Sequence, residues 1–127
     1  MNSEVNDFLS RTAHPLAAEI QPACAVIFAA DASIRDEVKW NSVSFRNEHD
    51  FFATINLRSL KELPVILYTG VKTKPTARTG VPVPDPSGLI ERWAAIDRCI
   101  VTLGKGAQLR ANEAAFTALL RAWIRCV

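Results

Sequence analysis

Two arginines and a small set of hydroxyl and amide side chains recur at alternate positions along one stretch of the chain. Ser44 and Arg46 stand in one candidate strand, and Thr54, Asn56 and Arg58 stand in the next. In extended backbone such residues share a face, because successive side chains point to opposite sides of a sheet. A guanidinium offers two parallel N–H donors that match the oxygens of a carboxylate or phosphate, so this face has the chemistry of an anion site. Lys39 and Trp40 lie just ahead of it and add an ammonium group and a large aromatic ring. The candidate ligand-binding set is therefore Lys39, Trp40, Ser44, Arg46, Asn56 and Arg58. The plainer reading of the same alternation is a solvated sheet face, which any one-sided sheet displays.

Other groups carry less. Glu48-His49-Asp50 supplies three ligand types, but adjacent residues on a turn seldom converge on one metal, and the chain's other histidine is His14. No metal site is expected there. Asp97-Arg98 reads as an acid and its partner at a pocket wall or, more plainly, as an ion pair where a strand begins. Gly70-Val71-Lys72-Thr73-Lys74 lacks the spaced glycines of a phosphate-binding loop, and neither Gly-x-Ser-x-Gly nor His-Glu-x-x-His occurs. Cys24, Cys99 and Cys126 are far apart among apolar neighbours and read as small buried thiols, unpaired and slow to react. With no nucleophile beside a base, the residues point to a non-catalytic binding or chaperone-like domain, an enzyme of unknown reaction being the third choice.

The elements that must position these groups follow from periodicity. A first helix is expected from about Ser3 to Thr12 with Ser3 as its N-cap, ended by His14-Pro15. A second repeats Leu16, Ile20, Ala23 and Ile27 on one face, with Pro22 in its first turn or at a solvent-side kink. Asp31 or Ser33 is read as the cap of a short third helix ending at Trp40, whose side chain would fix the angle between helical and extended layers. From Val43 the period becomes two. Val43 to Arg46, Phe51 to Arg58 and Leu63 to Thr69 read as a meander, with Phe51, Ala53, Ile55 and Leu57 facing the helices. Gly70 to Gly88, rich in proline and basic residues, reads as an exposed loop. Leu89 to Ala95 reads as a helical turn or strand start, and Arg98 to Leu103 as a strand. Phe116, Leu119, Leu120, Trp123, Ile124 and Val127 then form the stripe of a last helix. Trp40, Phe116, Leu120 and Trp123 are expected in the core, with Trp93 beside them. The sum is one α+β domain: N-terminal helices, an antiparallel sheet of about four to six strands and a C-terminal helix.

Composition sets the bounds on partners. At 127 residues with 49% apolar and 22% charged residues, the chain can bury a core without disulfide or metal. Its fifteen basic residues are interleaved with thirteen acidic ones, net +2, which argues against a nucleic-acid surface. The start of the chain has no basic, apolar leader and no segment reaches the ~20 apolar residues of a membrane span, so the expected address is the cytoplasm, with no membrane partner. A small anion, a protein partner or a second copy of the chain is the expected occupant of the polar sheet face.

Several motifs occur together and in order: Glu37-Val38-Lys39-Trp40-Asn41, Ser44-Phe45, Phe52-Ala53-Thr54-Ile55-Asn56-Leu57, Tyr68-Thr69-Gly70-Val71-Lys72, Pro84-Asp85-Pro86-Ser87-Gly88-Leu89, Trp93-Ala94-Ala95-Ile96-Asp97-Arg98 and Ala122-Trp123-Ile124. Over about Ile20 to Val127 the chain thereby resembles the YdhG-like domain family of unknown function. The resemblance implies a secretion-chaperone-like fold, a curved antiparallel sheet with flanking helices. Some members resemble frataxin-like iron chaperones, which makes intracellular iron delivery the alternative function and iron the alternative cofactor. Here the pattern departs, since Asp31, Asp36 and Glu37 are interspersed with Arg35 and Lys39 instead of forming an acidic ridge.

Overall fold

Alternation along the central strands builds the scaffold. Val43 and Phe45, Ala53 and Ile55, Val65 and Leu67, and Cys99 and Val101 fall two apart in four different segments, and all eight lie in one buried cluster. The structure, a computed structural model, describes residues 2–71 and 81–127. Its strands are β1 (Arg35–Lys39), β2 (Ser42–Arg46), β3 (Phe51–Ile55), β4 (Pro64–Tyr68), β5 (Ile90–Ala95) and β6 (Arg98–Thr102). They form an open antiparallel sheet in the order β1-β2-β3-β4-β6-β5. Helices α1 (Ser3–Ser10), α2 (Ala17–Phe28) and α3 (Ala107–Ile124) complete the domain, which is α+β as the sequence implies. Ile20, Cys24 and Ile27 of α2 join Phe116, Leu120 and Trp123 of α3 in the same apolar cluster as the sheet residues, so the helices cover that face. Among the described residues no helix is long and apolar enough to cross a membrane.

The third helix expected between Asp31 and Trp40 is instead strand β1. Asp31 does accept a hydrogen bond from the Ser33 N–H at 2.8 Å, but the turn it makes leads into a strand. Pairing decides the matter: Val38 lies opposite Val43 and Lys39 opposite Ser42, leaving Trp40-Asn41 as a two-residue hairpin loop. Both loop residues have positive φ, 54° and 55°, as the type I′ hairpin turn requires. The far end of β1 is held by α1. Asn2, not Ser3, caps that helix by accepting from Val5 N–H at 2.8 Å, and its own N–H and amide donate to Asp36.

Of the two places offered for Pro22, the first turn is not the one: it lies inside α2, on the exposed side. Of the two readings of Leu89 to Ala95, the strand is the one formed, an edge strand whose carboxylate anchor is Asp85, accepting from Leu89 N–H at 2.8 Å and Ile90 N–H at 2.9 Å. Other expectations need revision. Trp93 on that strand is exposed, its ring stacked on buried Trp123 with centroids 5.8 Å apart, so only Trp123 is core. Val81 and Val83, read as part of an exposed loop, pack against the core, whereas Lys72, Lys74, Pro75 and Arg78 lie outside the described residues.

Candidate functional site

The sheet face away from the core cluster is where the predicted polar residues fall, but it is not a solvated surface. Ser44 and Thr54 lie directly opposite each other on β2 and β3 and are both buried. Their hydroxyls are 2.9 Å apart, and Tyr68 OH lies 2.8 Å from Thr54 Oγ1. Ser44 donates onward to the carbonyl of Lys39 at 3.3 Å. Backbone carbonyls accept at both ends, that of Lys39 from Ser44 and that of Ala53 from Tyr68 OH at 3.5 Å, with Thr54 between the two hydroxyls. The chain thus ties three strands to the hairpin turn. Burial pushes the Tyr68 phenol up to about 12, so it stays a neutral hydroxyl within this chain.

Trp40 caps this chain. It is 53% exposed, contrary to the core position expected of it. The reason is the turn: a hairpin tip on an edge pair projects its side chain past the sheet. Its indole meets Phe51 and Tyr68 edge-on, with ring centroids 5.8 Å away in each case. A bulky residue at positive φ is a backbone outlier costing about 1 to 3 kcal/mol, and such strain gathers where surrounding structure holds a side chain for use. Phe51 reaches this face because β3 bulges opposite Phe45/Arg46, so Phe51 departs from the helix-facing set that the alternation predicts, while Ala53 and Ile55 keep to it.

Two cavities flank the indole. One, of about 330 Å³, is the more polar of the two, with Asn41, Ser42, Thr54, Asn56 and Arg58 beside Trp40 and the apolar Ile55, Leu57 and Ile66. The other, of about 210 Å³, is aromatic and apolar, lined by Trp40, Thr54, Ile66, Tyr68, Val71 and Arg98. They share Trp40, Thr54 and Ile66 and therefore adjoin. Asn56 uses its Oδ1 to accept from Arg58 N–H at 2.9 Å, which leaves its amide N–H groups as donors toward the polar side.

Of the six candidates, the structure gathers Trp40, Asn56 and Arg58 at a cavity, places Lys39 over the Trp40 and Phe51 rings at 5.1 and 5.0 Å, and puts Ser44 beneath, in the hydroxyl chain. Arg46 is elsewhere. It sits over Phe51 at 5.1 Å, donates to the Asn47 carbonyl and lies 4.0 Å from Glu37, and it lines neither cavity. The second arginine of the site is Arg98, over the Tyr68 ring at 5.5 Å. Among the described residues Lys39, Arg58 and Arg98 have no carboxylate within ion-pair distance, and the expected Asp97–Arg98 pair is not formed. Sequence reasoning missed Tyr68 as well, although its spacing of two from Ile66 placed both on one face of β4.

The remaining candidate groups do not converge. Glu48 and His49 lie 3.6 Å apart on the exposed β2–β3 turn, and the described residues contain no cluster of three or more histidine, cysteine or acidic side chains suited to a metal ion. Cys24 and Cys99 are buried thiols whose pKa values are pushed up to about 12 by burial, with Asp36 and Asp85 adding to the effect. They are held in the protonated, poorly nucleophilic form. In comparisons with known proteins, no family model, no curated protein and no solved structure matches this chain.

Proposed function

We propose that this chain is a non-catalytic binding domain that takes a small anionic ligand on the sheet face around Trp40. The observation that carries the reading is the meeting of three cations lacking a carboxylate partner, Lys39, Arg58 and Arg98, with a strained, exposed tryptophan between two adjoining cavities. Guanidinium groups bind carboxylate or phosphate in two-pronged fashion, and flanking apolar walls strengthen that attraction by excluding water. The protonated thiols at Cys24 and Cys99 favour binding over covalent chemistry. A cytoplasmic address and membership of the YdhG-like family are part of the same proposal, and the Glu37 to Asn41 motif behind that resemblance contains the Trp40 turn itself. Iron delivery, the alternative, has no structural observation in its favour.

The test is a thermal-shift titration with inorganic phosphate, citrate and benzoate at low and high salt. A ligand that binds only the folded state raises Tm by mass action, and an exposed ionic contact weakens with salt. At least one of these anions is expected to raise Tm in a salt-sensitive manner, and the Arg58→Ala/Arg98→Ala double variant is expected to abolish the shift. Indifference to all three anions overturns the proposal.

A further inference from the structure

The two compartments beside Trp40 differ in chemistry, and that difference specifies a ligand. On one side Asn56 and Arg58 present amide and guanidinium donors; on the other Tyr68 and Val71 form an aromatic and aliphatic wall beside Arg98, with Ile66 shared between the two. Resting on the anion-binding reading above, we infer that the ligand is a flat ring bearing one oxyanion, the ring lying against Trp40 and Tyr68 and the oxyanion reaching Arg58. Size permits it, since an apolar cavity of about 150 Å³ takes up benzene and the Tyr68 compartment has about 210 Å³. Shape favours it, because aromatic rings gain from edge-on or offset contacts with their centroids about 4.5 to 7 Å apart, which a flexible aliphatic chain cannot make. Charge favours it too. Lys39 already lies over the indole and Arg98 over the phenol, so cations stand ready on the π faces that a ligand ring would extend. A bare anion would pair with Arg58 or Arg98 and leave the aromatic wall wet. A neutral ring would leave the guanidinium without a counter-charge.

The test follows indole N–H signals by NMR while the intact protein is titrated with 1-naphthoate, 1-naphthyl phosphate, acetate and 1-naphthalenemethanol. The chain has three tryptophans, so three signals report. We expect 1-naphthoate or 1-naphthyl phosphate, the stronger of the two identifying the oxyanion, to shift the Trp40 signal and leave Trp123 unmoved. That ligand should bind about tenfold or more tightly than acetate or the alcohol, given the separate contributions of ring and ion pair. Arg58→Ala should lower its affinity about tenfold without altering that of the alcohol, and Arg58→Lys should restore only part, the fork being lost. Trp40→Ala, at an exposed turn where unfolding is not expected, should lower the affinity of both ring compounds. If acetate binds as tightly as 1-naphthoate, and through Arg58, the ring is irrelevant: this inference falls and the anion reading stands. If the alcohol matches 1-naphthoate, the oxyanion is irrelevant and the inference likewise falls. Absence of binding by every charged probe overturns both readings.

Discussion

Trp40 and Trp93 are both about half exposed, at 53% and 45%, and both stand at margins of the same sheet, yet their surroundings differ in kind. Trp93 lies on edge strand β5 with its ring stacked on Trp123, which is fully buried and donates its indole N–H to the Tyr68 carbonyl at 2.9 Å. It extends the core outward. Trp40 stands on a left-handed turn, meets its aromatic neighbours edge-on and borders cavities on both sides, with Lys39, Arg58 and Arg98 around it. An exposed tryptophan alone therefore says little. Backbone strain, adjoining space and uncompensated charge separate a side chain placed for a ligand from one that finishes a core.

The contrast can be broken or sharpened by substitution. The largest effect belongs to Trp123→Ala, which removes the platform under Trp93 and should cost about 3 to 5 kcal/mol in urea denaturation. A loss below about 1 kcal/mol would mean that the Trp93 side is not core at all. Tyr68→Phe comes next, at about 1 to 2 kcal/mol, because it removes the buried hydroxyl that partners Thr54 beneath Trp40. Its pH dependence has a definite sign. The phenol is raised from 10.0 to about 12, so the stabilisation is complete below pH 10 and is lost as pH climbs through 12. The gap between wild type and Tyr68→Phe should accordingly narrow over that range. Trp93→Ala should cost about 1 kcal/mol, the value of a stacked pair, and leave anion binding unchanged. Trp40→Asn should be smallest, within about 1 kcal/mol of wild type, since relief of the left-handed strain offsets the lost ring contacts while ligand affinity disappears. A larger loss from Trp40→Asn than from Trp93→Ala would reverse the assignment.

Much of the scaffold was legible because period-two and period-three-and-four patterns report burial directly. The Phe116, Leu120, Trp123 stripe and the alternation through Ala53 and Ile55 both lie where the pattern puts them. The stretch from Asp31 to Trp40 was misread because its local signal was a capping box, whereas its conformation is set by pairing with β2 and by Asn2 gripping Asp36 from 34 residues away. Short-range spacing carries neither fact. Within the site, the shared face of Ser44 and Thr54 was readable from alternation, but their direct pairing, the bulge that turns Phe51 outward and the choice of Arg98 over Arg46 were not. The partner of Arg58 across the cavities depends on β6 docking beside β4, a topological matter on which residue spacing is silent.

That strand order also bears on how the chain reaches its native state. β1 to β4 pair each with its neighbour in sequence, and β5 with β6, so four of the five strand pairings can zip through short loops at small entropic cost. The β4–β6 seam alone joins segments thirty or more positions apart, Pro64 with Thr102 through Tyr68 with Arg98. Non-local closure of this kind slows folding, so the seam is the natural last step, with the meander and the β5–β6 hairpin as earlier units. Tyr68 and Arg98 face each other across it. The Arg98 side of the cleft around Trp40 thus exists only once the slowest pairing is complete, and under the anion-binding proposal a partly folded chain would lack half of its site.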